Sequence, residues 1–216
     1  MKKLLAGVLA LFSAVLLGLV GAVALQPDHF HMERSTTVNA KPADVYAIVS
    51  DLSRYPEWNP WQDKDPAMKT EVSQPPTGVG AWYAWEGNSE AGKGRMEITA
   101  VESNASVTES LHFLAPMASE AVVVMKMTPE GEKTRVSWGF DSEQTLPSKA
   151  FGLIMDVEAL IGPDFEKGLG RIQAIAEPAA RAREAQEAAD LLANERAAAA
   201  LAAAAPTEGA PPPVAD

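Results

Sequence analysis

Residues 148–176 constrain the fold of this chain more than any other stretch of its sequence. Their large apolar side chains recur mostly three, four or seven positions apart, at Phe151, Ile154, Met155, Leu160, Ile161, Phe165, Leu169 and Ile172. That spacing is typical of an amphipathic helix with one broad apolar face. Burial of this face would contribute on the order of 10 kcal/mol to the stability of a domain, before the opposing loss of conformational entropy is subtracted. The helix therefore requires a large apolar partner surface elsewhere in the chain.

The preceding region supplies that surface as a β-sheet. Polar and apolar residues alternate in six runs, which predict strands at 32–39, 79–86, 94–101, 106–114, 120–128 and 134–140. Short turns rich in Gly, Pro, Asn and Ser separate the last five runs, whereas parallel pairing would need much longer crossovers. We therefore expect an antiparallel meander against which the C-terminal helix packs.

Two short helices are expected between the first strand and the meander. Pro42 suits the first turn of a helix, and an apolar stripe follows at Val45, Ile48 and Val49. Residues 51–61 are interrupted by two prolines, so they predict a second short helix that ends in an aromatic loop.

Pro163 interrupts the long C-terminal helix. It lacks an amide hydrogen and its ring crowds the carbonyl of Ala159, so we expect a kink or a restart at this position. Two interpretations remain open. The helix bends to follow a curved sheet, or the proline is a hinge that lets the first half of the helix act as a lid.

The N-terminal 25 residues differ from the rest of the chain. Lys2 and Lys3 precede the uncharged span 4–25, which as a helix is about 33 Å long and suffices to cross a bilayer. The span ends in Ala-Val-Ala, a pattern that also fits a signal-peptide cleavage site, so an anchor and a cleaved signal are both compatible with it. Because lysines stay on the cytoplasmic side, either interpretation places residues from 26 onward in the periplasm or outside the cell.

Composition divides the chain into four parts. After the span at 1–25, we expect a linker at 26–31, a folded domain at 32–177 and an Ala- and Pro-rich tail at 178–216. The tail predicts a solvated helix to about residue 205 and then disorder. It holds few large apolar side chains, so we expect it to be energetically separate from the domain.

Charge and composition exclude several classes of function. The formal net charge is −11 and the sequence has no basic cluster, which argues against a nucleic-acid partner. The absence of cysteine excludes thiolate catalysis and cysteine zinc sites. His29 and His31 lack the further ligands that a metal ion needs, since His112 is the only other histidine. We therefore predict neither a metal site nor a cofactor, and no protein partner is indicated.

Five stretches of the chain carry a family resemblance: VNAKPADVYAIVSDLSRYPEWNPW, GVGAWYAWEGN, GKGRMEITAVES, TRVSWGF and DFEKGLGRIQAIAE, all within about residues 32–177. They resemble the START-like helix-grip superfamily (SRPBCC), specifically its polyketide cyclase/dehydrase and lipid-transport branch. The resemblance implies an α+β fold, in which a curved antiparallel sheet of about seven strands wraps around a long C-terminal helix and encloses a pocket for an apolar or amphipathic ligand. Members include lipid carriers, hormone receptors and enzymes that cyclise polyketides, so the resemblance alone does not choose a function.

One acidic residue is a candidate for chemistry. Glu109 lies on the same face of its strand as Val107, Leu111 and Phe113, so its carboxyl is expected to point toward the core. A low dielectric there would raise its pKa, as a general acid or a hydrogen-bonding anchor requires. The alternative is that Glu109 pairs with a neighbour such as Arg95 or lies at the sheet edge.

The cavity expected between sheet and helix has a candidate lining. It consists of Tyr83, Trp85, Met96, Leu111, Trp138, Met155 and Phe165, with Glu109 as a polar anchor. Trp58 and Trp61 lie in the proline-interrupted loop and are candidates for the mouth of the pocket. Small residues are expected to leave a void beside these large ones, at Ala84, Ala100, Ala121 and Gly162.

These patterns favour a membrane-anchored domain outside the cytoplasm that binds an apolar or amphipathic small molecule, such as a lipid. Adaptable methionine walls suit binding better than catalysis, so an enzyme is not favoured. Two other hypotheses remain: a polyketide cyclase or dehydratase, and a structural or assembly module whose pocket is filled by side chains.

Overall fold

The computed structural model describes residues 2–204, and these contain one antiparallel sheet of seven strands. The strands are β1 (His29–Val38), β2 (Lys69–Val72), β3 (Trp82–Glu86), β4 (Lys93–Glu102), β5 (Ser106–Ala115), β6 (Ser119–Glu130) and β7 (Lys133–Glu143). Their order across the sheet is β1-β7-β6-β5-β4-β3-β2. The central strand is therefore β5, and β1 returns to pair with β7.

The helices of the described residues are α1 (Lys2–Ala24), α2 (Pro42–Val49), α3 (Tyr55–Trp58), α4 (Leu146–Gly152) and α5 (Val157–Ala204). Two 3-10 turns, Leu52–Arg54 and Pro60–Asp63, flank α3. Asp51 and Asn59 begin these turns, because the side chain of each accepts a hydrogen bond from the backbone amide two residues later. The two helices expected after the first strand are thus present, the second as a short helix between turns.

The helix-grip arrangement is confirmed, since α5 packs along the curved sheet beside β1, β7 and α2. Its buried stripe is at most 2% exposed and consists of Phe165, Leu169, Ile172, Ala176 and Ala180. Gly168 is required where α5 approaches β7 most closely, because a Cβ atom there would lie 2.6 Å from the ring of Trp138. Helix α5 and strand β7 are thus tightly packed at Gly168.

The six predicted strands are present with shifted ends. β1 begins at His29, so His29 and His31 lie on a strand rather than in a linker, and their imidazoles contact the carboxylate of Asp141 at 3.0 and 2.7 Å. The alternation does not predict β2, whose sequence Lys-Thr-Glu-Val contains one apolar residue. This strand forms an edge of the sheet, where pairing with β3 rather than burial holds it in place.

The C-terminal helical segment breaks at residues 153–156, and α5 continues through Pro163, so the restart expected at that proline is absent. The kink expected there stays a prediction. Asp156 begins the new helix, because its carboxylate accepts a hydrogen bond from the amide of Ala159 at 3.0 Å. Pro163 lies inside α5. It and Ala159 are both exposed, so water can satisfy the carbonyl that has lost its helical partner.

The first part of the tail belongs to the packed core, which corrects the expectation that everything after residue 177 is energetically separate. Ala180 is 1% exposed, and the guanidinium of Arg183 donates to both carboxylate oxygens of Asp44 on α2 at 2.8 and 3.0 Å. Residues 184–203 are exposed along the rest of α5. The disorder expected after residue 205 lies outside the described residues.

The N-terminal helix contains a stretch, Gly7–Ala24, that is long and apolar enough to cross a membrane. Its mean hydropathy is 2.4, and none of its residues is fully buried against the rest of the structure. It is the one such helix within residues 2–204. Its length and composition meet the requirements of a membrane anchor and of a signal sequence alike.

Candidate functional site

An apolar cavity of about 320 Å³ lies between the curved sheet, α4 and the first turns of α5. Side chains of the sheet form its inner wall: Phe30, Met96, Leu111, Phe113, Val123, Trp138 and Phe140. The outer wall comes from the helices and from the loop after β5, and it consists mainly of Phe151, Val157, Ile161, Phe165 and Met117. A cavity is therefore present where the sequence predicts one, between the sheet and the C-terminal helical segment.

Glu109 reaches this cavity from the central strand. Its backbone lies opposite Ile98 on one side and Val123 on the other, and the residue is 5% exposed. Arg95 instead donates to Glu97 at 3.1 Å and stacks over Trp82 with 4.4 Å between the guanidinium carbon and the ring centroid. The alternatives that Glu109 pairs with Arg95 or lies at an edge are thus both wrong.

Burial raises the pKa of Glu109 from its usual 4.5 to about 7. It is the sole cause of the shift, because no cation or hydrogen-bond donor in the described part of the chain stabilises the ionised carboxyl. Near neutral pH this group therefore exists in both its protonated and its ionised form. A carboxyl in that condition can donate or accept a hydrogen bond.

A second polar side chain, Tyr55, lies near Glu109 in the cavity lining. Tyr55 on α3 lines the cavity, and its pKa lies well above its usual range, first because of burial and second because of the charge of Glu109. The indole nitrogen of Trp138 is buried and donates to no group within residues 2–204. That nitrogen has almost no accessible surface toward the cavity. The carboxyl of Glu109 and the phenol of Tyr55 are the polar groups near each other in the lining, and we call these two residues the polar floor.

The charged side chains that line the cavity are all acidic. Three acidic residues contribute to it, Glu109 at the floor and Glu120 and Glu143 elsewhere in the wall. No described lining residue is a lysine, arginine or histidine. A ligand with a buried anionic group would meet no counter-charge there, so the lining disfavours an anionic molecule.

A smaller chamber of about 150 Å³ adjoins the main cavity. Both chambers are bounded by Tyr55, Trp61, Leu111 and Phe113, so these four side chains form the partition between them. Trp85 lies on the far wall, where its indole nitrogen donates to the carbonyl of Ala91 at 3.0 Å. Movement of the partition would join the two spaces.

The structure brings together six of the ten predicted site residues around the main cavity: Trp61, Met96, Glu109, Leu111, Trp138 and Phe165. Trp85 lines the smaller chamber instead. Trp58 and Tyr83 are each 2% exposed and belong to the core, so Trp58 does not lie at a pocket mouth. Met155 is 41% exposed, because the helix break at 153–156 turns it away from the sheet.

The small residues expected to create the void do not line the main cavity. Ala100 is exposed, and Gly162 accommodates Arg34, whose Nη2 would lie 2.8 Å from a Cβ atom at that position. The void arises instead where the helical segment breaks between α4 and α5. Sequence reasoning also missed Phe30, Tyr55 and Phe140, although Phe140 alternates with Trp138 on β7 and was accessible from that pattern.

Within residues 2–204 no cluster of three or more His, Asp or Glu side chains has a geometry suited to a metal ion.

Comparison with known proteins bears on the family. A family profile described as "Polyketide cyclase / dehydrase and lipid transport" matches residues 29–177. A search of curated proteins found no match. Among solved structures, the chain is similar to protein CV1439 from Chromobacterium violaceum, with 14% identity, 71% of this chain and 99% of that chain covered, and a TM-score of 0.48.

Two other solved structures have similar values. The Aha1 dimer from Colwellia psychrerythraea is 15% identical over 68% of this chain and 96% of that chain, with a TM-score of 0.48. DynU16, from the dynemicin biosynthetic locus, is 19% identical over 69% of this chain and 47% of its own, with a TM-score of 0.47. The profile match covers more than half of the 216 residues and includes every strand of the sheet. The chain therefore belongs to the polyketide cyclase/dehydrase and lipid-transport family.

Proposed function

We propose that this protein binds an uncharged, largely apolar small molecule in the cavity between the sheet and the α4–α5 segment. The observation that carries the proposal is an apolar space of about 320 Å³ whose described lining holds one buried carboxyl and no cation. Its size falls at the lower end of the range of ligand pockets, about 300 to 1,000 Å³. The adjoining chamber of about 150 Å³ would accommodate a branch or an extension of the ligand.

The polar floor narrows the chemistry of the ligand. A hydroxyl or carbonyl oxygen at the inner end of the ligand would hydrogen-bond to Glu109 or Tyr55. Such pairing offsets the cost of leaving these groups buried without partners. The ligand would thus be amphipathic, with a neutral oxygen function inward and an apolar body outward.

The same proposal places the domain outside the cytoplasm and anchors it by α1. Lys2 and Lys3 precede the apolar span, and the positive-inside rule then puts β1 and everything after it on the opposite side. A reporter enzyme fused after Asp216 should be active only outside the cytoplasm. The mass of the mature protein separates an uncleaved anchor from a cleaved signal peptide.

Binding is tested on the full-length protein in detergent. Native mass spectrometry is expected to find a co-purifying ligand, and the neutral fluorophore N-phenyl-1-naphthylamine is expected to bind and to compete with it. Leu111→Trp should abolish fluorophore binding by filling the cavity, at little cost in stability. Val122→Trp is the matched control, because Val122 is 44% exposed on the adjacent strand; it should bind like the parent.

A packed core would behave differently. If the parent carries no ligand, binds no fluorophore and loses about 1–3 kcal/mol of stability on Leu111→Trp, the space is filled by side chains. That result would favour a structural or assembly module over a binding protein.

A second candidate function is acid–base catalysis by a cyclase or dehydratase, and the observation that favours it is the pKa of about 7 at Glu109. A carboxyl with such a pKa can transfer a proton to or from a bound molecule near neutral pH. Glu109→Gln discriminates between the two. Fluorophore and ligand binding should survive the substitution, because glutamine keeps the shape and hydrogen bonding, whereas any conversion of the ligand should be lost.

A further inference from the structure

A group of large apolar side chains stays exposed at the end of the molecule where α4 passes into α5. We call it the apolar rim; its members are 37–80% exposed and consist of Leu146, Phe151, Leu153, Ile154, Met155 and Leu160. The rim borders the cavity, because Phe151 belongs to both and Val157 lies between them. An exposed apolar surface of this kind is typical of a site that contacts a membrane or another protein.

The rim carries almost no free charge. Lys149 is the basic residue of α4; it is 8% exposed and its Nζ pairs with the carboxylate of Asp28. Asp156 caps α5, and Glu158 accepts a hydrogen bond from Arg34 at 3.0 Å. Covering the rim would therefore leave no ionised side chain in it without an existing partner.

The position of the rim is tied to the end of α1. That helix ends at Ala24 and lies against α4, and its Ala22 and Val23 are half-buried by the contact. The Lys149–Asp28 pair then holds α4 to the segment between α1 and β1. Four residues, 25–28, extend at most about 14 Å, so Asp28, the partner of Lys149, lies within that distance of the end of α1.

We propose that the apolar rim rests in the surface of the bilayer that α1 crosses, so that the cavity opens toward lipid rather than water. The inference rests on the anchoring role of α1 in the proposed function. A bilayer, rather than a second copy or another protein, is the occupant because the anchor itself brings the rim to the membrane surface. An amphipathic ligand would then pass between membrane and cavity without crossing bulk water.

The absence of cysteine makes a direct test possible, because every introduced cysteine is unique. Single variants Ile154→Cys, Leu16→Cys and Val79→Cys of the full-length chain are labelled with an environment-sensitive fluorophore. They are then reconstituted into phosphatidylcholine–phosphatidylglycerol vesicles with or without spin-labelled lipids. Leu16 lies in the middle of α1, and Val79 is 65% exposed in the loop before β3, at the opposite end of the sheet from α4.

The labels at 154 and 16 are expected to emit at shorter wavelength and to be quenched by the spin-labelled lipids. The label at 79 is expected to be quenched by aqueous iodide alone. If the label at 16 is quenched by lipid while the label at 154 behaves like that at 79, the rim is in water and the proposal is refuted while the anchor stands. If neither 16 nor 154 is reached by lipid, both the anchor and the docking fail.

A charged substitution in the apolar rim tests whether ligand transfer between the membrane and the cavity depends on the rim. Ile154→Asp should slow the transfer of N-phenyl-1-naphthylamine from vesicles to the protein several-fold and leave its affinity in detergent unchanged, since Ile154 does not line the cavity. Val79→Asp is the matched control and should transfer at the parental rate. Equal transfer rates for the two variants would contradict the proposal.

Discussion

The two halves of the C-terminal helical segment have similar apolar patterns but opposite surroundings. From Phe165 to Ala180 the stripe on α5 is at most 2% exposed against the sheet, whereas the apolar rim between Leu146 and Leu160 remains 37–80% exposed. Periodicity therefore identifies a helical face without identifying what covers it. The packed half makes the core, and the open half makes a cavity and its rim.

Contacts at β1 fix the position of the first turns of α5 next to the open half. Arg34 donates to Glu158 at 3.0 Å and to Glu166 at 3.2 Å, and Gly162 leaves room for its guanidinium. These bonds draw the first turns of α5 toward the sheet edge. At the packed end, by contrast, the rings of Trp58 and Phe165 lie 5.3 and 4.3 Å from that of Trp138 and fill the space.

The largest expected effect comes from truncating the packed half. Leu169→Ala should lower the free energy of unfolding by about 2–5 kcal/mol, because it removes a fully buried side chain and leaves a cavity. Ile154→Ala removes a similar side chain from a residue that is 80% exposed and should cost less than about 0.5 kcal/mol. Urea unfolding in detergent, followed by tryptophan fluorescence, measures both. Equal losses would show that the two halves are packed alike.

The second effect is a pH dependence that arises at the floor of the cavity. Glu109 has a pKa of about 7 in the folded state and about 4.5 when unfolded, so the folded state holds its proton more tightly. Its contribution is complete below about pH 4.5 and is lost as pH rises through 7, by about 3 kcal/mol in total. Tyr55 faces it but stays protonated throughout this window, because its pKa is raised well above 10.

The measurement compares the parent with Glu109→Gln between pH 5 and pH 8. The parent should lose stability relative to the variant across this interval, and the difference between them should level off above pH 8. A difference that does not vary with pH would mean that the carboxyl is solvated and that the floor is not buried.

The smallest effect locates the end of the packed half. Truncation after Glu177 removes Ala180 from the core together with the partner of Asp44, and should lower Tm by about 2–4 °C. Truncation after Glu187 keeps both contacts and should leave Tm unchanged, because the described residues beyond it are exposed. Matching Tm values for the two truncations would restore the view that the domain ends at residue 177.

Local sequence patterns sufficed for most elements and for one site residue. Alternation located six strands and placed Glu109 on the inward face of β5, because successive side chains of a strand point to opposite sides whatever the strand pairs with. Local patterns did not locate β2, because its four residues are held at the edge of the sheet by pairing with β3 and not by burial. Pairing partners lie outside the reach of a local pattern.

What the sequence by itself determined is therefore six of the seven strands, the short helices after β1, the antiparallel meander and the face that Glu109 occupies. Only the tertiary structure decided that the helical segment breaks at 153–156, that Met155 turns outward and that Trp58 is buried in the core. These outcomes depend on contacts between residues more than a hundred positions apart, such as Arg34 with Glu158 and Glu166. A periodic pattern indicates the local backbone conformation. A cavity forms where surfaces that are distant in the sequence do not pack against each other, and a local pattern does not contain that information.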